Sequence, residues 1–156
     1  MAYQKLNAYR ALRVIPSDNA DIPYLNTSAT GTNTSATANK LVDSGATFQT
    51  NRVSVGDIVY NTTDGSAATV TAIDSQTVLS LNADIFAAGS KAYTVYQGGQ
   101  NLGCVLYIGE TGDIKVTMAG GDVVTFNNLP TGFFEPAQVI KVWSTGTTAT
   151  LINALW

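Results

Sequence analysis

The sequence predicts an all-β protein: two small antiparallel β modules, each a barrel or a sandwich, preceded by an extended N-terminal arm. Short runs of alternating apolar and polar residues recur at roughly ten-residue spacing, a pattern typical of small β domains. Turn residues such as Gly, Asn and Asp separate these runs. Charged residues make up only 12% of the chain, so the Glu, Lys and Arg that normally fill long helices are scarce. With 156 residues, the chain is long enough for one ordinary domain or two very small ones.

Residues 1–25 are predicted to form the N-terminal arm. Its larger apolar residues recur at every third position: Tyr3, Leu6, Tyr9 and Leu12. This spacing fits either a short one-sided helix or an extended segment that packs on a neighbour. A helix this short is marginal on its own, so packing would have to order it. Pro23 disfavours the α conformation at Ile22 and keeps the end of the arm extended.

Residues 26–39 are predicted to be a linker or long loop, because they contain neither a large apolar side chain nor a charge. A flat β surface exposed to solvent is the alternative. Residues 40–97 are predicted to form a small β module of short alternating strands. Within this module the turn sequence Asn61–Gly65 is a strong hairpin signal.

Residues 98–156 are predicted to form a second, C-terminal β domain, which begins at a glycine-rich hinge around Gly98. Glycine-containing turns separate its strand-like runs. Pro130 and Pro136 bracket a segment that is predicted to be a loop. Because this loop contains Phe133 and Phe134, we expect those side chains to insert into a core or to contact a partner.

The composition excludes most catalytic chemistry. The chain has no histidine, which excludes Ser-His-Asp and Cys-His nucleophiles and His-bearing zinc sites. Its one cysteine, Cys104, lies in an apolar run and is predicted to be a small buried hydrophobe. Most of the eleven acidic residues stand beside Gly, Asn or Ser in turns, where they normally cap the backbone. We therefore expect no enzymatic activity, no catalytic residue, no metal and no cofactor; a glycosidase-like carboxylate pair is the remaining alternative.

Charge and hydropathy restrict the expected partners. The formal net charge is −3 and the basic residues do not cluster as in nucleic-acid-binding proteins, so we expect no direct contact with nucleic acid. No apolar run approaches the roughly 18 residues of a membrane-spanning helix, so no membrane partner is expected. The first residues lack the apolar region of a signal peptide, which predicts a soluble protein made in the cytoplasm.

Several runs, most of them in the C-terminal half, carry a recognisable pattern. They are Leu106–Thr117, Gly121–Gly132, Val142–Ala149 and Ala154–Trp156, together with the upstream run Val14–Asp18. Through these runs, the sequence resembles the head spike base family of gene transfer agents and tailed phages over residues 12–23 and 102–156. The matching positions are turn glycines and strand residues, which specify a fold rather than a chemistry. Residues 26–99 depart from the family pattern, so the resemblance implies that the module at 40–97 is an insertion.

The resemblance implies a structural protein of the virion, either a capsid decoration (cement) protein or a head spike-base component. Such a protein would bind the major capsid protein and copies of itself as a homo-oligomer, and the family implies no enzyme, metal or cofactor. A tail, baseplate or fibre-base protein is the alternative within the same class. From a different class, a module that binds a host surface glycan would stack sugar rings on exposed tyrosines, for which the candidates are Tyr60, Tyr93 and Tyr96.

Six aromatic residues form the candidate interface: Tyr3, Tyr9, Phe133, Phe134, Trp143 and Trp156. A β unit of about 60 residues buries only about 60% of its unfolded surface and is marginal alone. The chain also has few of the charged residues that normally protect strand edges. Because aromatic side chains are enriched in interface cores, we expect these residues to help the chain assemble. The alternative is that the four C-terminal aromatic residues fill the intramolecular core.

Overall fold

The computed structural model describes residues 8–156 and confirms the predicted all-β class, with two antiparallel sheets. Within these residues, no helix is long and apolar enough to cross a membrane. The strands follow one another along the chain as β1 (Ala11–Arg13), β2 (Thr27–Thr32), β3 (Lys40–Val42), β4 (Ile58–Asn61), β5 (Ser66–Ile73), β6 (Val78–Leu81), β7 (Ala92–Tyr96), β8 (Cys104–Ile108), β9 (Gly112–Met118), β10 (Val123–Leu129), β11 (Phe133–Val142) and β12 (Asn153–Leu155).

The C-terminal sheet contains β1 together with β8 to β12, in the order β1-β12-β8-β11-β9-β10. Its neighbouring strands are all antiparallel. The first and last strands of the chain pair directly, with Leu12 opposite Ala154, and both side chains are buried. The described part of the arm therefore contributes one strand, β1, to this sheet, and β1 and β10 lie at its two edges.

The central sheet contains β2 to β7, in the order β2-β7-β4-β5-β6-β3. It begins within the stretch at 26–39, where β2 pairs with β7 and buries Ala29. The linker prediction is therefore wrong for Thr27–Thr32. Thr favours strands, and three of the six residues of β2 are Thr. The edge of β7 supplies the backbone hydrogen bonds that a loop prediction omits. The alternative prediction, a β surface, describes β2 better, since three of its six residues are exposed.

Strand β11 also departs from the expected loop between Pro130 and Pro136, because it begins at Phe133 and continues through Pro136 to Val142. Its register against β8 shifts between Glu135 and Val139. Pro136 thus lies at an irregularity of the ladder, where a missing N–H donor is tolerated.

Two clusters of buried side chains lie on opposite faces of the central sheet. Strand β4 shows the division, since all four of its residues are buried. Val59 belongs to a cluster made within the central sheet and its loops, which also contains Phe48 and Phe86. Ile58 and Tyr60 belong to a second cluster, which contains the core of the C-terminal sheet. Alternate residues of a strand point to opposite faces, so β4 contributes to both clusters.

The segment after β1 connects the two sheets by hydrogen bonds. The Ser17 hydroxyl donates to the Ala67 carbonyl oxygen of β5 over 2.8 Å, while the Ser17 N–H donates to the Val142 carbonyl oxygen of β11 over 2.9 Å. Two residues on, the Asn19 carbonyl oxygen accepts from the Thr69 hydroxyl over 2.9 Å. The extended arm is thus confirmed for the part the structure describes, and it bridges the two sheets.

Candidate functional site

The buried carboxylates hold local backbone in place. Asp57 accepts hydrogen bonds from the N–H groups of Ser54 and Gly98, each over 3.0 Å. Asp43 accepts from the Gly45 N–H over 2.9 Å and from the Tyr93 hydroxyl over 2.7 Å. No group of three or more metal-ligating His, Cys, Asp or Glu side chains occurs within residues 8–156. These contacts give the two carboxylates a structural role.

Cys104 is buried on β8, as its apolar sequence context predicts. Its thiol donates to the Val139 carbonyl oxygen over 3.1 Å. Burial raises the pKa of this thiol to about 12, so the reactive thiolate form is scarce at neutral pH.

The three tyrosines proposed to contact a glycan lie inside the protein. Tyr60 and Tyr93 are each only 2% exposed, and Tyr96 is also buried. Tyr60 and Tyr96 pack edge-to-face between the sheets, with ring centroids 5.4 Å apart. The expectation that Tyr60, Tyr93 and Tyr96 are exposed is therefore wrong, and none of the three rings presents an open face on which a sugar could stack. The arm and the C-terminal sheet cover the face of β4 and β7 that carries Tyr60 and Tyr96. Tyr93 lies on the opposite face, where it packs against Phe48 and Phe86.

Tyr9 and Trp156, two of the candidate interface residues, lie together where the chain begins and ends. The Tyr9 N–H donates to the Trp156 carbonyl oxygen over 2.6 Å. Tyr24 packs edge-to-face on the Trp156 ring at a centroid distance of 5.3 Å, and its hydroxyl is hydrogen-bonded to that of Tyr9. Trp156 therefore packs within its own chain, whereas Tyr9 remains 78% exposed. Tyr3 lies outside the described residues.

Phe133 and Phe134 lie at the beginning of β11 and remain exposed, at 37% and 51%. Phe134 stands opposite Tyr107 of β8, and the two ring centroids are 5.1 Å apart. Phe133 stands opposite Ile108, the last residue of β8. The exposed side chain of Leu151 belongs to the same end of the sheet, because the Leu151 carbonyl oxygen accepts from the Gly109 N–H over 3.2 Å.

We name Tyr107, Phe133, Phe134 and Leu151 the apolar end patch. Leu151 has a left-handed backbone with φ of 55°, a conformation that costs a leucine about 1 kcal/mol. Gly109 is required beside it, since a Cβ at position 109 would lie 2.5 Å from the Leu151 Cβ. The fold thus holds a strained leucine at the surface, a kind of feature that is common at functional sites.

Trp143 lies apart from this patch, on the outward face of β9, β10 and β11. Its indole N–H donates to the Thr117 hydroxyl over 3.0 Å. The ammonium groups of Lys115 and Lys141 lie 4.9 and 4.2 Å from the centroid of its ring. Val123, which is 52% exposed, stands opposite Thr117 on β10. The predicted interface residues therefore form several separate surfaces.

Sequence reasoning did not include Tyr107, Leu151, Lys115 or Lys141 among the candidates. The position of Tyr107 follows from the register of β8 against β11, and that of Leu151 from a long loop. The adjacency of Lys141 to Trp143 was open to a pattern search, because the two are two residues apart in sequence and share one face. That of Lys115 depends on the register of β9 against β11.

The described surfaces are suited to binding: an exposed aromatic and aliphatic patch, and a second face with a tryptophan between two cations. In comparisons with known proteins, no family model, no curated protein and no solved structure matches this chain.

Proposed function

We propose that this chain is a structural protein of a phage virion, namely a capsid decoration (cement) protein or a head spike-base component. It binds the major capsid protein and copies of itself, and it acts by burying surface between neighbouring subunits. The observation that carries this proposal is the apolar end patch. Its three exposed members, Phe133, Phe134 and Leu151, adjoin the end of β8 on the surface of a small protein.

An exposed cluster of this kind favours a binding role over a merely tolerated surface. Phe134 and Tyr107 share one face of the sheet and Phe133, the adjacent residue of β11, points to the other, so apolar side chains are exposed on both faces at this end. Single exposed apolar side chains are normal, whereas several at one end of a sheet mark an interaction site. Phe134 packs against Tyr107 with its ring tilted and remains half exposed, so the pair presents an aromatic surface to solvent. Large rigid aromatic side chains contribute strongly to binding because little conformational entropy is lost when they are covered.

Strand β10 supports assembly in a second way. It is a seven-residue edge strand that contains no charged residue, and its sequence is Val123–Leu129. Edge strands of monomeric proteins normally carry charges, prolines or bulges facing outward, which prevent pairing with another chain. Although its register against β9 shifts near Leu129, the portion Val123–Phe126 pairs regularly and leaves its other edge open.

The resemblance to the head spike base family supports the choice of partner. The runs that carry the resemblance cover part of β8, most of β9 and all of β10, and these strands either contain the patch or lead into it. The remaining patch residues, Phe133, Phe134 and Leu151, lie within the same span at 102–156. The surface proposed to bind thus belongs to the part of the chain for which the family implies assembly in the virion.

Labelling of purified particles tests this proposal. Antibodies raised against the chain should decorate the heads, and quantitative mass spectrometry should give many copies per particle. Phe134→Ala should reduce incorporation into particles at least tenfold. Val55→Ala is the matched control, because it also truncates an exposed apolar residue, at 64% exposure, but lies on the central sheet's side of the molecule.

Particles that carry none of the chain would contradict the proposal. Label confined to tails would replace the head assignment with the tail, baseplate or fibre-base alternative. Equal incorporation of both variants would remove the apolar end patch from the interface.

A further inference from the structure

The outward face of β9, β10 and β11 holds two cations on one aromatic ring. Lys115 and Lys141 both direct their ammonium groups at the ring of Trp143, at 4.9 and 4.2 Å from its centroid. The strand register explains this geometry. Lys141 stands opposite Thr117, and the Trp143 N–H donates to the Lys115 carbonyl oxygen over 2.9 Å. Neighbouring strands therefore place the three side chains on the same face.

The three side chains are held before any partner binds. The Trp143 indole N–H donates to the Thr117 hydroxyl, and the Lys141 ammonium donates to the Asp18 carbonyl oxygen over 3.0 Å. The stem of Lys115 passes close to Gly146, where an added Cβ would lie 3.2 Å from the Lys115 Cδ. Side chains that are already ordered lose little entropy on binding.

The charge of these lysines is not neutralised within the described part of the chain. The two salt bridges there join Lys40 to Asp74 and Lys91 to Asp64, both on the central sheet's side. Asp18 offers Lys141 its backbone oxygen, while its carboxylate accepts from Thr145. Two cations without a carboxylate partner in the described residues are therefore available to pair with anionic groups of another molecule.

The shape of the surface indicates what carries those anionic groups. Sites for small molecules are concave, but the two clefts of about 440 Å³ in the described residues are lined by other side chains. The Trp143 cluster lies on the open face of a sheet, beside the exposed Val123. An open face that combines a tryptophan, an aliphatic residue and cations resembles a protein interface, in which Trp is enriched among the dominant residues.

We propose that Lys115, Lys141 and Trp143 form a docking point for a carboxylate-bearing segment of a partner protein. The two ammonium groups donate to Asp or Glu side chains of that segment, and the indole and Val123 pack against its apolar atoms. This inference rests on the proposed function, because it names the chemistry of a partner that the C-terminal sheet binds.

An acidic peptide tests the docking point without any particle. The probe is a fluorescently labelled oligoglutamate, titrated into the purified chain and followed by anisotropy at low ionic strength. We expect saturable binding that weakens steeply as salt is added. The double variant Lys115→Gln/Lys141→Gln should bind at least tenfold more weakly, and Trp143→Phe should bind several-fold more weakly. The matched control is Lys40→Gln/Lys91→Gln, which has the same net charge and should bind like the wild type.

Absence of oligoglutamate binding by the wild type would overturn the inference, and so would an equal loss in the two double variants. A second experiment on particles separates this inference from the proposed function. If the wild type and the Lys115→Gln/Lys141→Gln variant enter particles equally well, the docking point is wrong while the proposed function stands. If the wild type is absent from particles but binds oligoglutamate through these lysines, the docking point stands and the proposed function fails. Lys115→Gln alone, which keeps the contact between Lys141 and Asp18, is the second variant should the double one fold poorly.

Discussion

The central sheet and the C-terminal sheet treat the same kinds of side chain in opposite ways. The central sheet buries its aromatic residues and pairs two of its lysines, Lys40 and Lys91, with aspartates. The C-terminal sheet leaves Phe133 and Phe134 exposed and directs two lysines at Trp143. Of the large exposed hydrophobic residues, only Val55 lies between β2 and β7 in the described chain, whereas five lie between β10 and β12.

This difference indicates that the two sheets have different roles. A region that buries its apolar side chains and pairs its charged ones contributes mainly to folding. A region that leaves apolar side chains exposed and lysines without a carboxylate partner has surface available for binding. The two sheets nevertheless form one connected structure, because β4 contributes to both buried clusters and the segment around Ser17 is hydrogen-bonded to both sheets.

The largest expected effect concerns folding. Phe48 is fully buried in the central sheet's cluster, so Phe48→Ala should lower the free energy of unfolding by about 3–5 kcal/mol. Phe134→Ala removes a half-exposed ring and should cost less than about 1 kcal/mol in the isolated chain. Urea unfolding followed by circular dichroism measures both. A Phe134→Ala variant as unstable as Phe48→Ala would mean that the patch is part of the core.

A smaller loss is expected where the sheets are joined. Ser17→Ala removes the hydroxyl that donates to the Ala67 carbonyl oxygen in a buried setting. Loss of one buried hydrogen bond should lower the free energy of unfolding by about 1–2 kcal/mol. Because Ser17 touches both sheets, near- and far-ultraviolet signals should shift together in one transition. Two separated transitions would show that the sheets unfold independently. That result would favour the prediction that residues 40–97 form an inserted β module of their own.

The smallest expected effect is a dependence on pH. The hydroxyl and N–H of Thr145 donate to the Asp18 carboxylate and lower its pKa to about 2. Since this pKa is lower in the folded than in the unfolded chain, the contribution to stability is present above about pH 4 and is lost between about pH 4 and pH 2. Asp18→Asn should therefore flatten the fall in Tm over that interval. Asp21→Asn, a neighbouring exposed substitution, is the control and should follow the wild-type profile.

The sequence was sufficient for the fold class, because alternation and turn glycines are local signals. Local signals were not sufficient for burial. Within their own strands, Tyr60 and Tyr96 occupy positions that the alternation pattern assigns to a solvent-exposed face. They are buried because the arm and the C-terminal sheet, which are distant in sequence, cover them. Pro136 favoured the prediction of a loop. Strand β11 accommodates this proline at an irregularity in its pairing with β8, which the local sequence does not indicate.

The candidate interface was also only partly predictable, because only some of its residues are marked by a local sequence pattern. Paired phenylalanines between prolines indicate unusual placement, and the structure leaves Phe133 and Phe134 exposed. Leu151, which lies at the same end of the sheet beside Gly109, comes from a loop whose path no local sequence pattern determines. Trp156, at the end of the chain, packs on Tyr24 of the arm, a contact that requires the two ends of the chain to meet.

The central claim is that the C-terminal sheet carries the partner surface, and hydroxyl-radical footprinting tests it most directly. The rate of side-chain oxidation would be measured by mass spectrometry in purified particles and in the dissociated chain. We expect Phe133, Phe134 and Trp143 to be protected from oxidation in particles. Val55, which is 64% exposed on the central sheet's side, should be oxidised at an unchanged rate. Protection of Val55 with unchanged oxidation of Phe133, Phe134 and Trp143 would contradict it.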